Sequence, residues 1–77
     1  MKEIGWDDLQ VFYHVAEGGG LSGAGRALGL SAATVGRRML SLEQATGQAL
    51  FERSQAGYAL TGAGRALFQK VRAMQAA

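Results

Sequence analysis

The chain of 77 residues has no cysteine and no proline. Without cysteine it holds no disulfide framework and does no thiol chemistry, which fits a reducing compartment. With proline absent as well and so short a length, it reads as one small domain. No apolar run approaches the roughly 18 residues of a membrane span, and Met1 to Gly20 lacks the basic-then-apolar order of a signal peptide. The expectation is a soluble, cytoplasmic protein with no membrane partner.

Charge is also scarce. A net +2 is too small to argue for nucleic acid, but its distribution is uneven. Residues 1 to 25 carry Lys2 against Glu3, Asp7, Asp8 and Glu17, whereas residues 26 to 77 carry seven basic groups against Glu43 and Glu52. The positive field belongs to the second part. Chemistry-bearing clusters are missing too. Ser22, Ser31, Ser41 and Ser54 have only His14 as a possible base, Glu43 and Glu52 fall on different elements, and no metal-ligand spacing occurs. No enzyme activity, cofactor or metal is expected. His14, alone on its helix, reads as a surface or packing residue.

What is plentiful is glycine, 12 in all, about twice the usual share of roughly 7%. Gly23, Gly25, Gly36, Gly62 and Gly64 fall in segments that read as helices, where each costs about 1 kcal/mol relative to alanine. A core of this size is marginal, so association through a further surface would help.

The chain is organised around Gly29 to Glu43. Ser31 is suited to cap a helix, since its hydroxyl can accept from an orphan N–H of the first turn. Val35, Met39 and Leu42 follow at spacings of four and three and should be buried. The other side offers Ala32, Ala33, Thr34, Gly36, Arg37 and Arg38, little bulk followed by two positive charges. Such a helix start can enter a DNA groove and meet phosphates with its N–H groups and dipole.

Before it, Asp7 is a candidate N-cap for a helix over about 7–17, with Gln10 in the capping-box position and Trp6 stapling onto Val11. Leu9, Phe12, Val15 and Ala16 form its apolar stripe. Three glycines, Gly18 to Gly20, end it, without the lysine and hydroxyl of a phosphate loop. Residues 21–28 form a short helix capped by Ser22 and closed by Gly29, with small residues at 24, 25 and 27 for close packing and Leu28 and Leu30 pointing inward. A short helix, a glycine-containing turn and a second helix with an exposed polar start describe a helix-turn-helix.

The second helix runs to about Thr46, with Gly47 as its stop. Leu50 to Arg53 alternates as a strand, Ser54 to Gly57 turns, and Tyr58 to Leu60 returns, making a wing. Glu43 reads as an ion pair with Arg53 or Arg38 that holds the wing against the recognition helix. Thr61 caps a last helix with Leu67, Val71 and Met74 on one stripe, Phe68 beside it, and Arg65, Lys70 and Arg72 on a solvated face. Arg26 could touch phosphate.

These pieces resemble the N-terminal DNA-binding domain of LysR-type transcriptional regulators over about residues 6–77. The matching runs are Trp-Asp-Asp-Leu-Gln-Val-Phe at 6–12, Ala-Glu-Gly-Gly at 16–19, Arg-Ala-Leu-Gly-Leu-Ser at 26–31 and Thr-Val-Gly-Arg-Arg-Met at 34–39. Leu-Glu at 42–43, Thr-Gly at 46–47, Leu-Phe-Glu-Arg at 50–53 and Gly-Tyr-Ala-Leu-Thr-Gly-Ala-Gly at 57–64 complete the set. The resemblance implies a mainly α fold with a small β-hairpin: a winged helix-turn-helix with a three-helix core, a two-stranded wing and a C-terminal linker helix. Residues 1–60 would be the DNA-binding domain and 61–77 the linker and dimerisation helix. The helix over about 32–46 would enter the major groove and the wing over 50–60 would meet the minor groove of double-stranded DNA. By position, Ser31, Ala32, Ala33, Thr34, Gly36, Arg37, Arg38 and Arg53 would face DNA, while Leu67, Val71 and Met74 would lie near a homodimer contact.

Departures from the family pattern are informative. Ala32-Ala33 replaces a frequent Gln-Pro, so a methyl contact to thymine stands where a glutamine could make two hydrogen bonds to adenine. Gly36 replaces a frequent serine, Gly62 a frequent acid, and the wing tip Ser54-Gln55-Ala56 lacks a basic residue. Nothing here could form the effector-binding domain of the family, so a small-molecule effector would act only through a domain not present. The stripe running to the terminus favours a piece of a longer regulator over a stand-alone winged helix. The alternative function is a winged-helix interaction or dimerisation module that does not read DNA.

Overall fold

In a computed structural model, which describes residues 4–55 and 57–76, each helix end follows from a local signal. Helix α1 spans Trp6–Gly18, α2 Leu21–Leu28 and α3 Ala32–Thr46. Strands β1, Phe51–Ser54, and β2, Gly57–Leu60, lead into α4, Gly62–Ala76. Gly19, Gly29 and Gly47 close the first three helices at φ of 73°, 72° and 73°, a left-handed conformation open to glycine at no steric cost. Ala56, at the expected wing turn, and Ala77, at the expected end of the last helix, lie outside the described residues.

Two expected caps are corrected. Helix α1 is capped by Gly5, not Asp7, with no side-chain cap bond; Leu9 N–H instead donates to the Gly5 carbonyl at 3.2 Å. Asp7 and Asp8 therefore sit in the first turn, where their charge suits the helix dipole. Trp6 becomes the first helical residue and is 46% exposed, so it does not staple the helix. Helix α2 likewise begins two residues earlier than a Ser22 cap would allow, after an extended Gly20. That start places Leu21 against α3, where its Cδ1 would lie 3.3 Å from a Cβ built on Gly36.

The expected caps at the other two helices are in place. Ser31 Oγ accepts from Thr34 N–H at 3.1 Å, and Thr61 Oγ1 accepts from Gly64 N–H at 3.0 Å.

The core gathers one face from each helix and the base of the wing. Phe12, Val15, Val35, Met39, Leu42, Leu50 and Val71 are its largest fully buried side chains, and Val11, Ala24 and Phe51 complete it. Leu28 and Leu30 pack on it half-buried, whereas Ala27, expected at a helix contact, is exposed. Tyr13 of α1 stacks on Phe68 of α4, rings 5.2 Å apart and 6° from parallel, and Gln75 donates to Gln10 at 2.9 Å. Helix α4 thus lies along α1 and shares its core. Tyr13 also donates to Glu17 at 2.9 Å; this bond, then desolvation and the Glu17 charge, raise its pKa, with Arg72 opposing.

Two of the helical glycines are steric requirements. Leu30 N–H donates to the Gly25 carbonyl at 2.8 Å, and a Cβ at Gly25 would collide with the Leu30 carbonyl oxygen. A Cβ at Gly64 would collide with the Leu50 carbonyl oxygen at the base of the wing. Gly23 and Gly62, by contrast, face open space.

Strands β1 and β2 pair antiparallel, with Phe51 opposite Leu60, Glu52 opposite Ala59, Arg53 opposite Tyr58 and Ser54 opposite Gly57. The hairpin is anchored from α4, since Thr61 N–H donates to Leu50 carbonyl at 3.0 Å and Thr61 Oγ1 to Ala49 carbonyl at 2.7 Å. From α1, the Gly19 carbonyl accepts from Tyr58 N–H at 3.0 Å.

Candidate nucleic-acid interface

Helix α3 has three of its side chains, Val35, Met39 and Leu42, locked in the core, which turns its opposite side outward. Ser31, Ala32, Ala33 and Arg37 are exposed there, and Thr34 is half-buried. At the helix start the hydroxyls form a short chain: Ser31 Oγ donates to Thr34 Oγ1 at 2.9 Å, and Arg37 Nη2 donates to the same oxygen at 3.5 Å. The guanidinium of Arg37 is therefore drawn toward the open helix end, where the first-turn N–H groups and the dipole already favour an anion.

Gly36 is not part of this open face. It is half-buried and directed at Leu21 of α2, so it serves the approach of the two motif helices. Leu40, one turn beyond Arg37, extends the exposed face instead and is 46% exposed. Its place was readable in the spacing of 33, 37 and 40, which falls on one helical face.

The three expected arginines differ in their surroundings. Among the described residues Arg37 makes no ion pair. Arg38 Nη1 lies 3.2 Å from Asp8 Oδ1 in the first turn of α1, its side chain 41% exposed. Arg53 Nη2 lies 3.1 Å from Glu43 Oε1, and its guanidinium carbon sits 5.4 Å from the centre of the Tyr58 ring. Of the two partners expected for Glu43, Arg53 and Arg38, it is Arg53 on the wing that pairs with it. Asp8 had no local signal, because its partner lies 30 residues away in sequence.

On α4 the expected dimerisation stripe divides. Val71 is fully buried in this chain's own core, so its side chain does not itself face a partner in this fold. Leu67 is half-buried against the same core, and Met74 is 48% exposed. Arg26, Arg65, Lys70 and Arg72 are all exposed. Among the described residues no group of three or more His, Cys, Asp or Glu could hold a metal, and no helix is long and apolar enough to cross a membrane.

A family model described as bacterial regulatory helix-turn-helix protein, lysR family, matches residues 6–65, which spans every element from α1 to the start of α4. The chain belongs to the lysR family. This lysR-family chain is 36% identical over 69 residues to the transcriptional activator BauR of Pseudomonas aeruginosa, covering 90% of itself and 23% of BauR. It is 42% identical over 66 residues to the transcriptional regulator TfdS of Cupriavidus pinatubonensis, covering 86% of itself and 22% of TfdS. It thus spans less than a quarter of the length of these relatives.

Among solved structures, a DNA complex of the CbnR DNA-binding domain matches it with a TM-score of 0.88 at 35% identity, over 94% of this chain and 83% of that one. A DNA complex of the BenM DNA-binding domain matches with a TM-score of 0.90 at 22% identity, over 95% and 82%, a likeness of fold. The winged helix-turn-helix expected from the sequence is the fold observed, with four helices and one two-stranded antiparallel sheet among the described residues.

Proposed function

We propose that this chain is the sequence-specific, double-stranded DNA-binding module of a transcriptional regulator, working in the cytoplasm as a homodimer. The observation that carries the reading is the exposed start of α3. Small side chains at Ala32 and Ala33 stand beside an arginine with no carboxylate partner among the described residues, on a chain 35% identical to a domain solved on DNA.

In this reading α3 enters the major groove and the wing meets the minor groove. Phosphate contacts from Arg37, with Arg38 and Arg53 at the flanks, supply affinity and register. Ser31 and Thr34 offer hydroxyls at the groove edge, while Ala32 and Ala33 offer methyl contacts that discriminate less sharply than a two-bond amide contact. Dimerisation uses the outer face of α4, with Met74 at its centre and Leu67 at its edge. Two half-sites about one helical turn apart, roughly 34 Å, follow from that symmetry. The chain acts by binding, not by catalysis, and any effector response belongs to the part of its relatives that it does not span.

Selection from a random duplex library, with sedimentation mass measured alongside, tests the reading. Enrichment of a dyad sequence by a two-chain complex is the expected result. No retention of any duplex by the folded protein at low salt would overturn it in favour of a protein-interaction module.

A further inference from the structure

We infer that Glu43 is a positioning residue for DNA binding: without touching DNA, it holds the wing and the Arg53 guanidinium in the pose in which Arg53 meets a phosphate. The inference rests on the DNA-binding reading above.

The carboxylate of Glu43 accepts three hydrogen bonds from one short segment. Its Oε2 accepts from Leu50 N–H at 2.8 Å and from Phe51 N–H at 3.2 Å, and its Oε1 accepts from Arg53 Nη2 at 3.1 Å. The Glu43 side chain is only 14% exposed, whereas that of Arg53 is 42% exposed. A largely enclosed carboxylate on the last turns of α3 therefore fixes the entry of β1 and the charged head of a wing residue together. Two backbone amides at the entry of β1 find an acceptor in the same group.

Arg53 is gripped from a second side. Its guanidinium carbon lies 5.4 Å from the centre of the ring of Tyr58, which is its direct partner across the hairpin. A planar guanidinium offers five N–H donors, so the bond to Glu43 leaves others for phosphate. An arginine already held in one rotamer also loses less freedom on meeting DNA than an unrestrained one. The base of the wing is tied independently to α4 through Thr61, which bonds the Leu50 and Ala49 carbonyls. Loss of the Glu43 charge therefore alters the pose of Arg53 without releasing the hairpin.

The expected effect of losing the Glu43 charge has an unusual sign. Removing a negative charge from a DNA-binding surface ordinarily strengthens binding, because phosphate repulsion falls. Positioning through Arg53 requires the reverse. In Glu43→Gln the amide oxygen can still accept from Leu50 and Phe51, while the charge that holds Arg53 is gone.

The test uses the whole chain and a fluorescein-labelled duplex carrying the dyad selected from a random library, with the melting temperature recorded for each variant. Glu43→Gln is expected to weaken binding about tenfold, the scale of one charge-assisted hydrogen bond, despite its more positive net charge. In an Arg53→Ala background the same substitution should no longer weaken binding, and only the gain from the lost negative charge should remain. Binding by Glu43→Gln that equals or exceeds the parent overturns the inference, as does a loss that persists undiminished without Arg53. Should Glu43→Gln fail to fold, Arg53→Lys carries the test. It keeps the charge and leaves Glu43 in place, so a loss close to that of Arg53→Ala supports a posed guanidinium and near-parental binding overturns it. A parent chain that binds no duplex overturns the DNA-binding reading itself, a result distinct from any difference between parent and variant.

Discussion

Asp8 Oδ1 lies 3.2 Å from Arg38 Nη1, joining the first turn of α1 to the middle of α3 across 30 residues of sequence. Their side chains are 30% and 41% exposed, so solvent screens the pair and it contributes at most about 1 kcal/mol to stability. In the DNA-binding reading proposed above, the pair also weakens the contact that Arg38 offers a phosphate at the flank of the interface. Asp8→Asn is expected to leave the melting temperature within a few degrees and to tighten DNA binding, about threefold at low salt, as Arg38 is released. Anisotropy titration at two salt concentrations checks both the direction and its disappearance at high salt. Weaker binding would mean that Asp8 positions Arg38 for DNA.

Arg37 stands apart from Arg38 and Arg53 because its neighbour is a hydroxyl, Thr34 Oγ1 at 3.5 Å, and not a carboxylate. Arg37→Ala should weaken binding about tenfold or more while leaving unfolding in urea unchanged, since the residue is exposed. Unchanged affinity would remove Arg37 from the interface.

The helical glycines separate into two classes by what a methyl group would meet. Gly64→Ala drives a Cβ into the Leu50 carbonyl and should cost about 2 kcal/mol or more by overpacking at the wing base. Gly23→Ala meets open space inside α2 and should stabilise the chain by about 0.5 to 1 kcal/mol. Urea unfolding of the two variants side by side measures the contrast. Equal effects would contradict the packing described here.

Val71 and Met74 lie one turn apart on α4 and should fail in different ways. Val71→Ala empties a fully buried position and should cost about 2 kcal/mol of folding stability. Met74→Asp alters a residue that is 48% exposed; it should leave the fold intact and shift sedimentation toward a single chain. Retention of the dimer by Met74→Asp would place the contact elsewhere on the surface.

The helix-turn-helix itself was legible because its signals are local. The Ser31 cap, the Gly29 and Gly47 stops, and the spacing of Val35, Met39 and Leu42 each act within a turn or two of chain. The Thr61 cap and the hairpin were readable for the same reason. Asp7 and Ser22 misled because each has the chemistry of a cap, yet Gly5 and Gly20, both extended, let the helices begin earlier. In α2 the packing of Leu21 beside Gly36 outweighs a side-chain cap.

Of the candidate site, the exposed start of α3 was readable from helix periodicity, and opposite charge on nearby elements narrowed the partner of Glu43 to Arg53 or Arg38, between which the fold chooses Arg53. What was not readable depends on distant chain. Gly36 turns toward Leu21, Arg38 finds Asp8, and Val71 finds the core through the packing of α4 along α1. Helical period alone placed Val71, Leu67 and Met74 on one stripe. It could not say how much of that stripe α1 covers.

The most direct test of the central claim is a titration of the selected dyad duplex across a range of salt concentrations. With about four phosphates neutralised by each of two chains, log K against log salt should fall with a slope near about −7. A steep slope of that order on the dyad, with weaker binding to random duplex, is the result expected of a sequence-specific DNA-binding dimer. A flat slope, or no binding at low salt by the folded chain, would contradict it.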